Sequence, residues 1–213
     1  SNVPFQPDLV NTFSRNGTNR TSVYDRFTYV DRVRGLGTSN DTYSKSGPTL
    51  AASTTAVEET GAGAGYIQLM ADGQNITRGA GWNAADYGNW IYYFMRRAPS
   101  FMDVVCYTGN GTADGRTVTH NLGATPQLVI VKRRSATSDW VVMFNTDHAV
   151  LLNSTNADTG YSTATGNYAN GILIGTNATT LTQYSGASGN SACNASNSTY
   201  VAYLFATTPG VSK

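Results

Sequence analysis

Charge is scarce in this sequence: only 13% of its 213 residues are Asp, Glu, Lys or Arg, where a soluble globular chain usually carries roughly a quarter. The 14 basic and 13 acidic residues nearly cancel, leaving a net charge of +1, so there is no concentrated basic stripe of the kind that holds a nucleic acid. The only basic runs, Arg96-Arg97 and Lys132-Arg133-Arg134, read as solvated strand ends. No apolar stretch approaches the roughly 18 residues needed to span a bilayer, and the amino terminus lacks a basic region followed by an apolar core. A soluble protein without membrane insertion is therefore expected.

The groups that usually do chemistry are also few. His120 and His148 are the only histidines, and neither has a Cys, Asp or Glu partner at a recurring zinc-ligand spacing. His120 is expected at the end of a strand around Val118, donating to a carbonyl of the turn at Asn121-Leu122-Gly123. Cys106 and Cys193 would form a disulfide only if folding brought them together, and two packed thiols are the expectation. Apart from Glu58-Glu59 the carboxylates are scattered, and neighbours on a strand face opposite ways, so this pair would not converge on one substrate. Gly61-Ala62-Gly63-Ala64-Gly65 lacks the Lys-Ser/Thr ending of a phosphate loop and precedes a strand-like segment. No catalytic residue, metal or cofactor is expected, and the chain reads as non-enzymatic.

Gly, Ser, Thr and Asn fill the polar positions instead, beside 13 Tyr, 7 Phe and 3 Trp. So many aromatic residues at so low a net charge describe a folded chain. The Asn-x-Ser/Thr triplets, such as Asn153-Ser154-Thr155, are what a chain rich in these residues generates by chance.

Leu128-Val129-Ile130-Val131 is a short β-branched run with the pattern of a strand buried on both faces. The same reading applies to Trp140-Val141-Val142-Met143-Phe144, to Ile172-Leu173-Ile174 and to Tyr200-Val201-Ala202-Tyr203-Leu204-Phe205, with turn-forming clusters between them. Only residues 51–59 and 90–97 could be helical, and the aromatic content of the second favours a strand. The fold class expected is all-β.

Two parts of the chain also resemble each other. Pro7-Asp8-Leu9-Val10 returns as Pro126-Gln127-Leu128-Val129, Leu50 with Ser53-Thr54-Thr55-Ala56 as Leu151 with Ser154-Thr155-Asn156-Ala157, and Asp72-Gly73 with Ile76 as Asn170-Gly171 with Ile174. Trp90-Ile91-Tyr92-Tyr93-Phe94-Met95 lines up with Tyr200-Val201-Ala202-Tyr203-Leu204-Phe205. These matches predict two tandem β-sandwich-like units from an internal duplication, residues 1–100 and 101–213, about the size of an ordinary domain each. Between them, strand-like residues 102–107, a turn at 108–112 and the alternating residues 116–122 predict a hairpin-like connection belonging to the second unit.

Three residues stand out as contact candidates. Arg32 and Arg34 flank one Val and would share a face if extended; they would then clamp a carboxylate or pair with Asp residues at a subunit contact, the alternative being a loop pinned by Asp31. Trp82, after Gly79-Ala80-Gly81, would stack on a sugar ring or enter the core.

Phe5-Gln6-Pro7-Asp8-Leu9-Val10, Asp31-Arg32-Val33-Arg34-Gly35, Tyr107-Thr108-Gly109-Asn110-Gly111-Thr112, His120-Asn121-Leu122-Gly123 with Pro126-Gln127-Leu128-Val129-Ile130-Val131-Lys132, and the closing Thr199-Tyr200-Val201-Ala202-Tyr203-Leu204-Phe205-Ala206 together resemble structural proteins of tailed bacteriophages, tail-fibre-like or head-surface proteins. After Val10 this chain has Asn11-Thr12-Phe13-Ser14-Arg15 in place of the family's Trp and Lys-Asn-Arg pattern. The resemblance implies a virion component on the tail or capsid surface. It would contact other virion proteins and host-surface glycans or proteins, and form a homo-oligomer, with a trimer favoured. A secreted adhesin or carbohydrate-binding module is the alternative, and a polysaccharide depolymerase is disfavoured by the missing carboxylates.

Overall fold

The computed structural model describes residues 5–14, 27–35, 48–59, 67–69, 76–78, 90–112, 116–144, 148–155, 172–173, 180–183 and 193–210. Every regular element among them is a strand, and every strand pairing is antiparallel. The chain divides into two compact units, Ser1–Arg96 and Arg97–Lys213.

Unit 1 contains β1 (Leu9–Ser14), β2 (Thr28–Asp31), β3 (Leu50–Ala51), β4 (Ile67–Leu69), β5 (Ile76–Arg78) and β6 (Trp90–Met95). Its main sheet has the order β3-β2-β1-β6, and β4 pairs with β5 separately. Alternation along β1 and β2 puts Val10, Thr12, Thr28 and Val30 on one face, all buried. The two threonines meet their polar requirement through an Oγ1–Oγ1 hydrogen bond of 2.7 Å. Residues 51–59, weighed for helix, leave β3 through a turn and return at Glu59, which bridges Thr49.

Unit 2 contains β7 (Met102–Thr108), β8 (Arg116–Thr119), β9 (Leu128–Arg133), β10 (Trp140–Phe144), β11 (His148–Leu151), β12 (Ile172–Leu173), β13 (Thr180–Gln183) and β14 (Thr199–Phe205). A five-stranded sheet, β11-β10-β9-β14-β7, accompanies a three-stranded one, β12-β13-β8. Val129, Val131, Val141, Met143, Tyr200, Ala202 and Leu204 of the larger sheet share one core with Val118 of β8 and with Leu122. This is the sandwich-like arrangement that period-two strands produce when one face of each sheet turns inward. Burying each of these larger side chains contributes roughly 1.5–3 kcal/mol. The opposite face of the larger sheet, with Ile130, Trp140, Val201 and Tyr203, is buried as well.

The expected hairpin-like connection is divided between the two sheets: β7 pairs with β14 over seven residues, whereas β8 pairs with β13. Asp103 links the segments, its carboxylate accepting from Val104 N at 2.9 Å and from Asn121 N at 2.7 Å. The strands could therefore separate without orphaning the turn between β8 and β9.

The basic run at the end of β9 differs from expectation. Lys132 is fully buried, because alternation puts it on the same face as Ile130 and directly across from Trp140. Its Nζ stands over the indole, 6.0 Å from the ring centroid, and the ammonium donates to the Ser138 carbonyl. Burial lowers its pKa from 10.5 to about 8, against the upward pull of Asp139 and with a downward push from Arg133. Between those pH values the unfolded chain binds more protons than the folded one, so the contribution of Lys132 to stability rises with pH. Wild type is expected to gain on the order of 2–3 kcal/mol over Lys132→Met between pH 8 and pH 10.5. Denaturant titration of both proteins across that range checks it; the raised pKa values of Cys193, Tyr29 and Tyr200 destabilise both proteins alike at high pH and cancel in the difference. A constant gap would show that the amine does not titrate there.

Candidate functional site

The arginine pair lies in the turn that leaves β2. Arg34 folds back on the strand: its Nε is 2.5 Å from Asp31 Oδ2, one terminal nitrogen is 3.1 Å from Glu58 Oε2, and the other donates to the Tyr29 carbonyl at 2.8 Å. Asp31 Oδ1 accepts from the Arg34 backbone N–H at 3.0 Å, closing the turn. Both charged side chains of the Asp31–Arg34 pair are fully buried. Arg32 faces elsewhere, its Nε donating to the Pro7 carbonyl at 2.7 Å while its backbone N–H donates to Asp8 O at 3.0 Å. The two guanidinium groups therefore do not share a clamp. Arg34 pairs with two carboxylates of its own unit, and Arg32 ties β2 to the entry of β1. Trp82 lies outside the described residues, as do Gly61-Ala62-Gly63-Ala64-Gly65 and Gly79-Ala80-Gly81.

A second polar cluster forms where residues 193–198 cross the turn after β7. Tyr107 and Tyr200 are cross-strand partners whose rings stack at 5.1 Å. Tyr107 Oη donates to Cys193 O at 2.8 Å, and Tyr200 Oη accepts from Ala195 N at 2.9 Å. Asn194 is fully buried; its amide donates to Asn110 Oδ1 at 2.9 Å and its carbonyl oxygen accepts from Asn110 N at 3.1 Å. Arg133 adds a bond to Ser198 Oγ at 2.6 Å. Burial pushes the Cys193 thiol well up, so it stays protonated and unreactive, and both cysteines remain thiols.

Close approach explains the glycines of this turn. A Cβ on Gly109 would stand 2.2 Å from the Ala195 carbonyl oxygen, and Gly111 has φ +70° with Ser196 beside it. Gly109→Ala must displace backbone that carries Gly109 N to Ser198 O and Asn197 N to Gly109 O, and is expected to cost about 2–3 kcal/mol. Gly210→Ala is the control: its φ is +81° but nothing lies near, so it should lose no more than about 1–2 kcal/mol. Equal denaturation midpoints for the two variants would contradict the close approach.

His120 follows β8 and is buried, but its Nδ1 accepts from Leu122 N at 3.3 Å. It was expected to donate to a carbonyl; the tight two-residue turn presents it with an N–H instead. Among the described residues no group of three or more His, Cys, Asp or Glu is placed to hold a metal ion, and no helix is long and apolar enough to cross a membrane.

One arrangement escaped the sequence reading. On the face of the unit 1 sheet opposite Val10 and Thr12, Asn11 stands between Tyr29 of β2 and Tyr93 of β6. Phe13 stacks with Tyr93 at 6.1 Å and meets Phe27 edge-on at 5.9 Å, and Phe27 meets Tyr29 edge-on at 5.3 Å. The only signal in the sequence was a polar residue at a position where period two calls for an apolar one.

The whole chain, residues 1–213, matches the model of a family described as a domain of unknown function, DUF7483. The chain belongs to that family. No curated protein and no solved structure matches it. In this DUF7483 chain the polar residues of both clusters hold turns and strands together.

Proposed function

We propose that the chain is a non-enzymatic structural protein of a bacteriophage particle, a tail-fibre or capsid-surface component that acts through protein contacts and host-surface attachment. The observation that carries this reading is the engagement of its polar groups. Asp31, Arg34, Glu58, Asp103, Lys132, Asn110 and Asn194 each bond within their own unit, which suits a framework better than a reaction centre. The resemblance of the signature around residues 107–132 to phage structural proteins supplies the setting, and the Gly109 close approach accounts for part of that signature in physical terms.

The reading includes an internal duplication. The pairing of β1 with β6 sets Leu9 against Met95 and Ser14 against Trp90, and that of β9 with β14 sets Leu128 against Phe205 and Arg133 against Tyr200. Both strands are entered through the same bond, Asp8 N to Met95 O at 2.9 Å and Gln127 N to Phe205 O at 2.8 Å. The orders β3-β2-β1-β6 and β11-β10-β9-β14 then correspond strand for strand. On this reading Leu50 corresponds to Val150, since Tyr29 faces Leu50 and Val142 faces Val150; this is one residue away from the match with Leu151 that the sequence suggests. The match of Asp72-Gly73 with Asn170-Gly171 lies outside the described residues. Among the described residues unit 1 has no counterpart of β7.

A nearly neutral chain packs against identical copies without strong self-repulsion, and the phage resemblance favours a homotrimer whose repeated loops raise avidity for a host surface. Mass spectrometry of purified particles, with labelled antibody to locate the protein, tests the reading. Detection on the tail or capsid surface is expected; absence from particles, or turnover of a polysaccharide by the isolated chain, would overturn it.

A further inference from the structure

The carboxamide of Asn11 is buried in a place where the fold does not need it. Asn11 is 7% exposed, and its Oδ1 has no hydrogen-bond donor, an arrangement that disfavours the folded state. The equivalent register position in unit 2 is Ile130, flanked by Val142 and Tyr203 as Asn11 is flanked by Tyr29 and Tyr93. An aliphatic side chain serves there, so sheet packing alone gives no reason for an amide in unit 1.

The neighbouring tyrosines differ in the same direction: Tyr203 is 0% exposed, whereas Tyr93 is 49% exposed. Tyr93 therefore offers a ring to solvent beside an acceptor that lacks a donor. Asn is shorter than the flanking Tyr29, Tyr93 and Phe13, so its amide lies low between their rings. Asp31, the charged strand residue among the described ones on this face, is fully buried and paired with Arg34. An exposed aromatic ring beside one buried acceptor that lacks a donor, with the nearest described charge buried and paired, is the composition of a site for a small neutral ligand.

We propose that this face of unit 1 binds a neutral sugar ring, which stacks on Tyr93 and donates one hydroxyl to Asn11 Oδ1. The hydroxyl supplies the missing donor, and the C–H face of the ring covers the exposed aromatic surface. Binding requires Tyr93 to turn outward, which its exposure permits. The site deepens the attachment role proposed above and rests on that reading only for the source of the sugar.

The test uses the full chain on an array of neutral and acidic glycans, followed by titration with the free neutral oligosaccharides that score. Wild type is expected to bind neutral glycans, and Tyr93→Ala and Asn11→Leu to weaken that binding at least tenfold. Asn11→Leu is also expected to raise the melting temperature by several degrees, because it removes the unmet acceptor. Tyr93→Ala alters an exposed side chain and keeps the test valid should Asn11→Leu fold poorly. The proposal is overturned if no neutral glycan binds, if only acidic glycans or peptides bind, or if both variants bind as wild type does. A stabilised Asn11→Leu together with no glycan binding by wild type would assign the acceptor to a buried water. Glycan binding by a chain absent from phage particles would sink the virion reading and leave this one standing.

Discussion

Tyr203→Asp is expected to unfold unit 2 under conditions where wild type is folded. Tyr203 is 0% exposed in β14, an interior strand of the five-stranded sheet, with Val104 of β7 on one side and Ile130 of β9 on the other. Losing the buried ring alone costs about 3–5 kcal/mol, by analogy with truncation of large aromatic residues. A carboxylate among Val104, Ile130 and Val201 adds a desolvation cost or must bind a proton from solvent. The sum is a large part of the stability of an ordinary domain, about 5–15 kcal/mol. Tyr203→Phe keeps the ring and is expected to lose no more than about 1–2 kcal/mol. Denaturant unfolding followed by near-ultraviolet circular dichroism separates the three proteins, and an unchanged midpoint for Tyr203→Asp would mean that β14 is not a core strand.

Arg34→Met is expected to destabilise unit 1 by about 3–5 kcal/mol, the usual result of removing one member of a buried ion pair. The substitution takes the guanidinium away from the fully buried Asp31 carboxylate, which keeps its bond to the backbone N–H of residue 34, and frees the Tyr29 carbonyl and Glu58 from their bonds to the guanidinium. Asp31→Asn in the same chain removes the stranded charge while retaining an oxygen for the turn N–H. The double variant should therefore be more stable than Arg34→Met alone, although each change by itself breaks the pair. Such a non-additive cycle is the signature of a direct interaction. Additive losses, or an Arg34→Met protein as stable as wild type, would show that the cluster contributes little.

The strands themselves were legible because their signals are local. Val, Ile, Tyr and Trp in runs of four to seven, separated by Gly, Asn and Ser, mark extended segments without reference to the rest of the chain. β6, β9, β10 and β14 appear where such runs stand. The burial of Val129, Ile130 and Val131 follows from the same pattern, since an unbroken β-branched run puts apolar side chains on both faces.

What the polar residues do was decided by tertiary structure. Lys132 reads locally as a solvated strand end, but it is buried directly across the β9–β10 pairing from Trp140, with its ammonium over the indole ring. Asp31 and Arg34 are three positions apart, but Glu58 enters their cluster from 24 residues away. Asn110 and Asn194 meet across 84 positions, and the same crossing leaves no space for a side chain on Gly109. Composition and period determine which segments extend and which of their faces are apolar. Neighbours distant in the chain determine whether a charge is solvated, a glycine is needed or an amide such as that of Asn11 finds a donor, because hydrogen bonding and desolvation depend on three-dimensional surroundings that no local pattern encodes.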